Sequence, residues 1–397
     1  MKPAAAMIPL CIPNVGEQER ANLNRCIDDN FVSSVGPFVR EMESGLAEIA
    51  GSSEAVTTGS GTQALHLAFH VAGVRPGDLV VMPAFTFIAT ANAARQAGAE
   101  LALVDVESDG WTMDPEALRA FLEEDCTPDR HGATHRASGR RIAAIAPVYT
   151  LGAVARMREI TEIAGATQTP VIADAAAALG STYEGAPIGE LADLSTLSFN
   201  GNKIITTGCG GAVIGRRSDW LARARRLAST ARRGDEYDHD EAAFNYRMSN
   251  MDAGVGCAQL GKLDAFVEAK RRTRAAYAAV IARHDNASGF PEPSWTRSNC
   301  WFSGVVLQPE TPDQEVRALA ERLRRDNVEA RTFWKPLHRQ EPYAGSLRGP
   351  LQLTERLWSK ILTLPCSTGL TEAELRHCTQ ALDEGLSALA GARLAAV

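Results

Sequence analysis

Apolar runs of four to six residues alternate with stretches of helical periodicity through about the first 230 residues of this 397-residue chain. "EAVTT" (54–58), "DLVVMP" (78–83), "LALVDV" (101–106), "RIAAIAPVY" (141–149) and "PVIADAA" (170–176) read as strands, as do "STLSF" (195–199) and "GAVIG" (211–215). Between them "GTQALHLAFHVAG" (61–73), "IATANAARQAG" (88–98), "DPEALRAFLEE" (114–124) and "VARMREITEIAG" (154–165) carry helical spacing. Strands apolar on both faces, separated by helices, predict an α/β fold with a mainly parallel sheet covered on both sides. The polar stretch 126–141 has no periodicity and reads as a surface loop with solvated arginines. A long helical pattern runs from about 252 to about 285. After Pro291 and Pro293 the texture changes to a strand ("CWFSGVVL"), a helix ("DQEVRALAERLRRDN"), a strand ("EARTF") and two further helices. That change predicts a large α/β domain over 1–265, with the first 30 or so residues packing on the other part, and a small α+β domain over 266–397.

Composition narrows the picture. Hydrophobic residues make up 45%, charged residues 22%, and the formal net charge is −7, with no dominating lysine or arginine block. A nucleic-acid binder is not expected. No apolar run approaches the roughly 18 residues of a membrane span, and the proline-broken start is a poor secretion signal. Eight scattered cysteines form no C-x-x-C pair, so a metal knuckle or dithiol motif is not expected. These features predict a cytoplasmic, reducing location.

Four segments should meet where the sheet's strands end, the place at which open parallel sheets bind ligands. In "TTGSGTQALH" a strand gives way to a Ser60-Gly61-Thr62 turn and a helix, whose free amides and dipole suit a phosphate. In "PAFTFIATANA" Phe85 or Phe87 could stack on a flat ring. Asp174 closes an apolar strand among alanines and needs a partner, for which a protonated ring nitrogen would serve. Ser198 ends another strand, and Lys203 follows in "SFNGNKIITTGCGG", with no other charged residue between Asp193 and Arg216. Singly, each has an ordinary reading: a helix cap, a core phenylalanine, a capping aspartate, a solvated lysine. In that order they are what pyridoxal 5′-phosphate requires: a phosphate cradle, a stacking face, a carboxylate for the ring nitrogen and an amine for the aldehyde.

With these residues in view, "SSVGPFVREME", "GSGTQALHLA", "PAFTFIATANA", "DAAAALGSTYEG", "SFNGNKIITTGCGG" and "NYRMSN" resemble the DegT/DnrJ/EryC1/StrS nucleotide-sugar aminotransferases, fold type I, and most closely their LegC-type branch. The resemblance runs from about Pro9 to the last helix. It implies a seven-stranded, mostly parallel sheet domain with a small C-terminal domain. It implies that Lys203 binds the cofactor aldehyde, that Asp174 pairs with the ring nitrogen, that Gly61, Thr62 and Ser198 hold the phosphate, and that Phe87 stacks on the ring. It further implies a homodimer with shared active sites, in which Asn245 reaches the phosphate of the neighbouring subunit with Arg247 close by.

The implied reaction moves an amino group from L-glutamate to the C4 ketone of a nucleotide-linked keto-deoxy sugar. UDP-4-keto-6-deoxy-N-acetylhexosamine is the branch's acceptor, and GDP-4-keto-6-deoxymannose is the alternative. A lyase or a non-catalytic regulatory relative is the alternative from another class; the latter would lack Lys203 or Asp174, and both are present. Cys209, flanked by glycines, reads as packing rather than as a lyase nucleophile. Substrate-binding candidates are Arg247, His338 in "FWKPLHRQEPY", Tyr149 and Arg331. One position departs from the family: three residues after the aspartate, where Glu, Gln or His is usual, stands Ala177.

Overall fold

The computed structural model describes residues 6–129, 132–234 and 237–394. The strands follow in sequence as β1 (Val56–Thr58), β2 (Leu79–Pro83), β3 (Glu100–Val104), β4 (Cys126–Asp129), β5 (Gly132–His135), β6 (Arg141–Ile145) and β7 (Ile172–Asp174), all but β4 and β5 at expected places. A short hairpin of β8 (Thr182–Tyr183) and β9 (Ala186–Pro187) precedes β10 (Leu194–Ser198) and β11 (Gly211–Ile214). One ladder has the order β1-β11-β10-β7 and another contains β3-β2-β6. Single bridges, Ile145 to Val171 and Val148 to Asp174, join them into seven strands. Among these seven, β11 runs against both neighbours and the others are mutually parallel.

The period of two in these strands divides the core. Helices α1 (Glu17–Asp28) and α2 (Pro37–Ala50) precede β1, and Val80, Met82, Leu101 and Leu103 face one side of the sheet and meet α3 (Gly61–Val71) and α4 (Ile88–Gln96). Leu79, Val81, Ala102 and Val104 face the other side. Glycine decides how closely α3 approaches the sheet. A Cβ on Gly211 would lie 2.6 Å from the Gly61 nitrogen, and one on Gly61 would lie 2.8 Å from the Ser198 Cβ. The start of the helix therefore rests directly on the ends of β10 and β11.

The small C-terminal domain is an antiparallel sheet of strands Ala287–Gly289, Ser303–Leu307, Ile361–Leu364 and Arg331–Thr332. Tyr277, Val305, Leu319, Leu362 and Leu382 make its core. The N-terminal segment lies against it: the Ile8 amide donates to the Asn327 carbonyl at 2.8 Å, and the Cys366 amide to the Leu10 carbonyl at 2.8 Å. The helix Glu17–Asp28 turns away and packs on the helix Asn250–Leu260.

Two expectations are corrected. The stretch 126–141 is not a loop throughout: β4 and β5 pair as a hairpin that extends the sheet beside β6. Residues 130–131 lie outside the described residues. The hairpin buries only the small Cys126 and Ala133 among apolar side chains, too few for an alternation to read. Arg141, at its end, is not simply solvated, since it pairs with Asp78 at 2.5 Å. The long helix from 252 is two helices, Asn250–Leu260 and Leu263–Ile281, separated at Gly261. Glycine weakens a helix interior by about 1 kcal/mol, and Lys262 anchors the break by an ion pair with Glu19 at 2.5 Å.

Candidate active site

The carboxyl ends of β7 and β10, the start of α3 and the start of α4 surround a cleft of about 300 Å³. Its floor contains Gly61, Thr62, Asp174, Ser198 and Lys203. Trp301, Phe302 and Trp334 of the small domain close one side.

The phosphate end is built by local geometry. Ser60 caps α3, its hydroxyl accepting from the Gln63 amide at 3.2 Å. The next two amides, of Gly61 and Thr62, have no acceptor among the described residues, as expected for a helix start. They adjoin Ser198 and leave a cradle with unpaired donors and a positive dipole end.

Asp174 is 5% exposed. Its Oδ2 accepts from the Thr90 hydroxyl at 2.6 Å and its Oδ1 from the Ala176 amide at 3.0 Å. Thr90 is also coupled to the Thr86 hydroxyl at 3.2 Å. Sequence reasoning missed Thr90, although it lies one helical turn after Phe87 and so on the same face.

Lys203 sits in a turn after β10, its amide donating to the Asn200 carbonyl at 2.9 Å. Burial brings its ammonium down from 10.5 to about 8, against the opposing pull of Asp174 and then Cys11. The cause is loss of water, not a neighbouring cation. At pH 7 such an amine is neutral in about one molecule in ten, against roughly one in three thousand for an ordinary lysine. Its Nζ lies 3.8 Å from the centroid of the Trp301 ring, a cation–π contact. Trp301 is held in turn by its Nε1–H, which donates to the Asn202 carbonyl at 2.6 Å. Trp301 was not singled out in the sequence because it sits in an apolar strand pattern that reads as core.

The remaining candidates divide. Phe85 is fully buried in an aromatic cluster. Phe87 is 53% exposed at the cleft, its ring 5.9 Å from that of Trp334. Tyr149 lines the cleft and is fully buried, which pushes its hydroxyl well up. Ala177 lines it too, beside Trp301 and Phe302. Cys209, read as packing, is exposed at the cleft instead. His338 is not among the lining residues, and its Nε2 faces Glu355 at 2.5 Å. Arg331 is paired outside the cleft with Glu329 at 2.5 Å. Asn245 and Arg247 are exposed and do not line this cleft.

The residues fit a pyridoxal phosphate group. The unpaired helix amides suit the phosphate, the buried carboxylate suits a ring N–H, and the lysine is free of any carboxylate bond. Comparison with known proteins agrees. The profile of the DegT/DnrJ/EryC1/StrS aminotransferase family matches residues 13–383. A putative pyridoxal phosphate-dependent aminotransferase, EpsN, of Bacillus subtilis is 36% identical over 372 residues, 92% of each chain. The GDP-perosamine synthase of Caulobacter vibrioides is 35% identical over 389 residues, covering 96% of this chain and 98% of the other. The crystal structure of the aminotransferase TlmJ from Streptoalloteichus hindustanus superimposes with a TM-score of 0.86 at 26% identity, over 97% of this chain and 100% of that one. With a cleft built for the cofactor and a match over almost its full length, the chain belongs to the DegT/DnrJ/EryC1/StrS aminotransferase family, whose members depend on pyridoxal phosphate.

Proposed function

We propose that this aminotransferase takes the amino group of L-glutamate and delivers it to the C4 ketone of a nucleotide-linked 4-keto-6-deoxy sugar. The observation that carries the reading is Lys203: an amine brought down to about 8, in one cleft with Asp174 and the start of α3, with no carboxylate bonded to it. Bound pyridoxal phosphate supplies an aldehyde to carry the amino group and a ring that accepts electrons. Gly61, Thr62 and Ser198 hold its phosphate, and Phe87 covers its ring. Asp174, steadied by Thr90 and the Ala176 amide, keeps a proton on the ring nitrogen. Lys203 would hold the aldehyde carbon, and its Nζ would accept a proton and return it as general base and acid. Trp301, Phe302 and Trp334 keep water from that exchange. The exposed Asn245 and Arg247 serve the neighbouring subunit of a homodimer, Asn245 at its phosphate.

Two acceptors are in view. The LegC-type motifs favour UDP-4-keto-6-deoxy-N-acetylhexosamine. The match to GDP-perosamine synthase over nearly the full length favours GDP-4-keto-6-deoxymannose, and an uncharged Ala177 leaves no ionisable group at that point of the cleft. The test has two stages. The visible absorbance of the purified holoenzyme should change on adding L-glutamate, and an unchanged spectrum would exclude the donor. Each keto sugar is then supplied, and the product is identified by mass and NMR. An amino sugar from neither acceptor would sink the proposal.

A further inference from the structure

A second lysine is buried behind the cleft without a carboxylate. Lys270 is 1% exposed. Its ammonium donates to the Trp301 carbonyl at 2.9 Å, to the Cys11 sulfur at 3.3 Å and to the Cys366 sulfur at 3.5 Å. Among the described residues, the lysines in ion pairs are Lys262 and Lys360. Burying a lone ammonium costs several kcal/mol, so the counter-charge has to come from sulfur. The two sulfurs share this one ammonium, and both are free cysteines. They come from opposite ends of the chain, brought together by the Leu10–Cys366 backbone bond and by the Ile12 amide donating to the Ser367 hydroxyl at 3.0 Å.

We propose that Cys11 and Cys366, with Lys270 between them, form a thiol switch that a peroxide closes into a disulfide. The thiols are poised unequally. Burial would raise Cys366, but the neighbouring Cys11 and the Lys270 charge outweigh it and bring this thiol down. The nearby Cys366, followed by burial, pushes Cys11 up. Cys366 is fully buried and Cys11 only half-buried, so hydrogen peroxide reaches Cys11 first. The Cys366 thiolate takes the Cys11 proton as the Cys11 sulfur attacks peroxide. The O–O bond breaks, an S–OH group forms, and the departing hydroxide regains that proton and leaves as water. The Cys366 thiolate then attacks the Cys11 sulfur. The S–S bond forms as the S–O bond breaks, and the hydroxide leaves as water with a proton from Lys270, which refills from solvent. Two electrons have passed from the sulfurs to peroxide, and a small thiol reverses the change.

The switch reaches the cleft by two short paths. The Cys11 S–H donates to the Asn202 carbonyl at 3.4 Å, the oxygen that also accepts from the Trp301 ring. Lys270 holds the carbonyl of the same tryptophan. Closing the disulfide removes the thiol from the carbonyl next to Lys203 and ties the N-terminal segment to the small domain.

The test is peptide mapping of the full-length protein after brief hydrogen peroxide and alkylation, without reductant. The expected result is a Cys11 peptide joined to the Cys366 peptide, two hydrogens lighter than their sum and released by dithiothreitol. Cys11→Ser should abolish it, and Lys270→Met should slow its formation at neutral pH by about tenfold. Oxidation of exposed Cys209 with no Cys11–Cys366 link would overturn the proposal. So would a link from Lys270 to either cysteine that retains an added oxygen. The wild-type map decides the question even if the Lys270 variant fails to fold.

Discussion

Lys203 and Lys270 are both withdrawn from water, one on each side of Trp301, and their surroundings drive their proton affinities apart. Lys203 hangs over the indole face with no hydrogen-bonded anion, and loss of hydration brings it to about 8. Burial acts on Lys270 in the same direction, but the two cysteines outweigh it and hold this ammonium above its usual value. The residue type is the same and the less exposed of the two is the one that keeps its proton, so burial alone does not make a lysine reactive. What decides is whether a partner that accepts its proton charge is buried with it.

The largest effect that would break this contrast comes from exchanging the two residues' roles. Lys203→Ala should lower transamination by at least about a thousandfold while leaving the thermal transition nearly unchanged. Lys270→Met should do the reverse, retaining most of the turnover and losing about 1–3 kcal/mol of stability. Initial rates and denaturant titration would separate them. If Lys270→Met proved the more damaging to chemistry, the division would be wrong.

Asp174→Asn comes next. It removes the charge that opposes the depression of Lys203 and the partner of the Thr90 hydroxyl. A fall in turnover on the order of a hundredfold is expected, with apoenzyme uptake of pyridoxal phosphate retained.

The pH dependence sharpens the contrast at intermediate size. The neutral amine is the reacting form, so apoenzyme trapping of an aldehyde by borohydride should rise with pH and level off above about 8. A midpoint near 10.5 would mean Lys203 is solvated. The Lys270 cluster should leave its mark on stability instead. Cys366 ionises below its ordinary 9.0 in the folded chain, so below 9.0 the unfolded chain binds more protons and stability rises with pH. Cys11 is raised and adds nothing in that window, and raised Lys270 loses its contribution only above 10.5. Lys270→Met should flatten the rise towards pH 9.

The smallest effect belongs to Trp301→Leu. Taking away the ring removes a contact that favours the charged amine, so the trapping midpoint should move down by less than about one pH unit. A rise would show that the indole destabilises the cation.

The sheet and the chemical floor were legible because each rests on short-range pattern. Apolar runs of strand length ended at Asp174 and Ser198, a capped helix began at Gly61, and an isolated lysine followed. The rest depends on partners far apart in the chain. "CWFSGVVL" reads as a strand wherever it packs, so the placing of Trp301 beneath Lys203 was invisible. "FWKPLHRQEPY" supplied Trp334 to the cleft, but its histidine turned to Glu355, a choice fixed by the fold of the helix Gln352–Leu357. Cysteine spacings can reveal only local pairs and have nothing to say about Cys11 meeting Cys366. The 126–135 hairpin places only the small Cys126 and Ala133 in the apolar core, so its strands look like any polar loop.

The aromatic side of the cleft, with Trp301, Phe302 and Trp334, is contributed by a part of the chain separate from the one that bears the reacting amine and its carboxylate. Substitutions at Phe302 and Trp334 in that outer panel would reshape which molecule is admitted and leave the engine beneath untouched. Descendants of one such gene would then diversify by altering their guest list long before their chemistry.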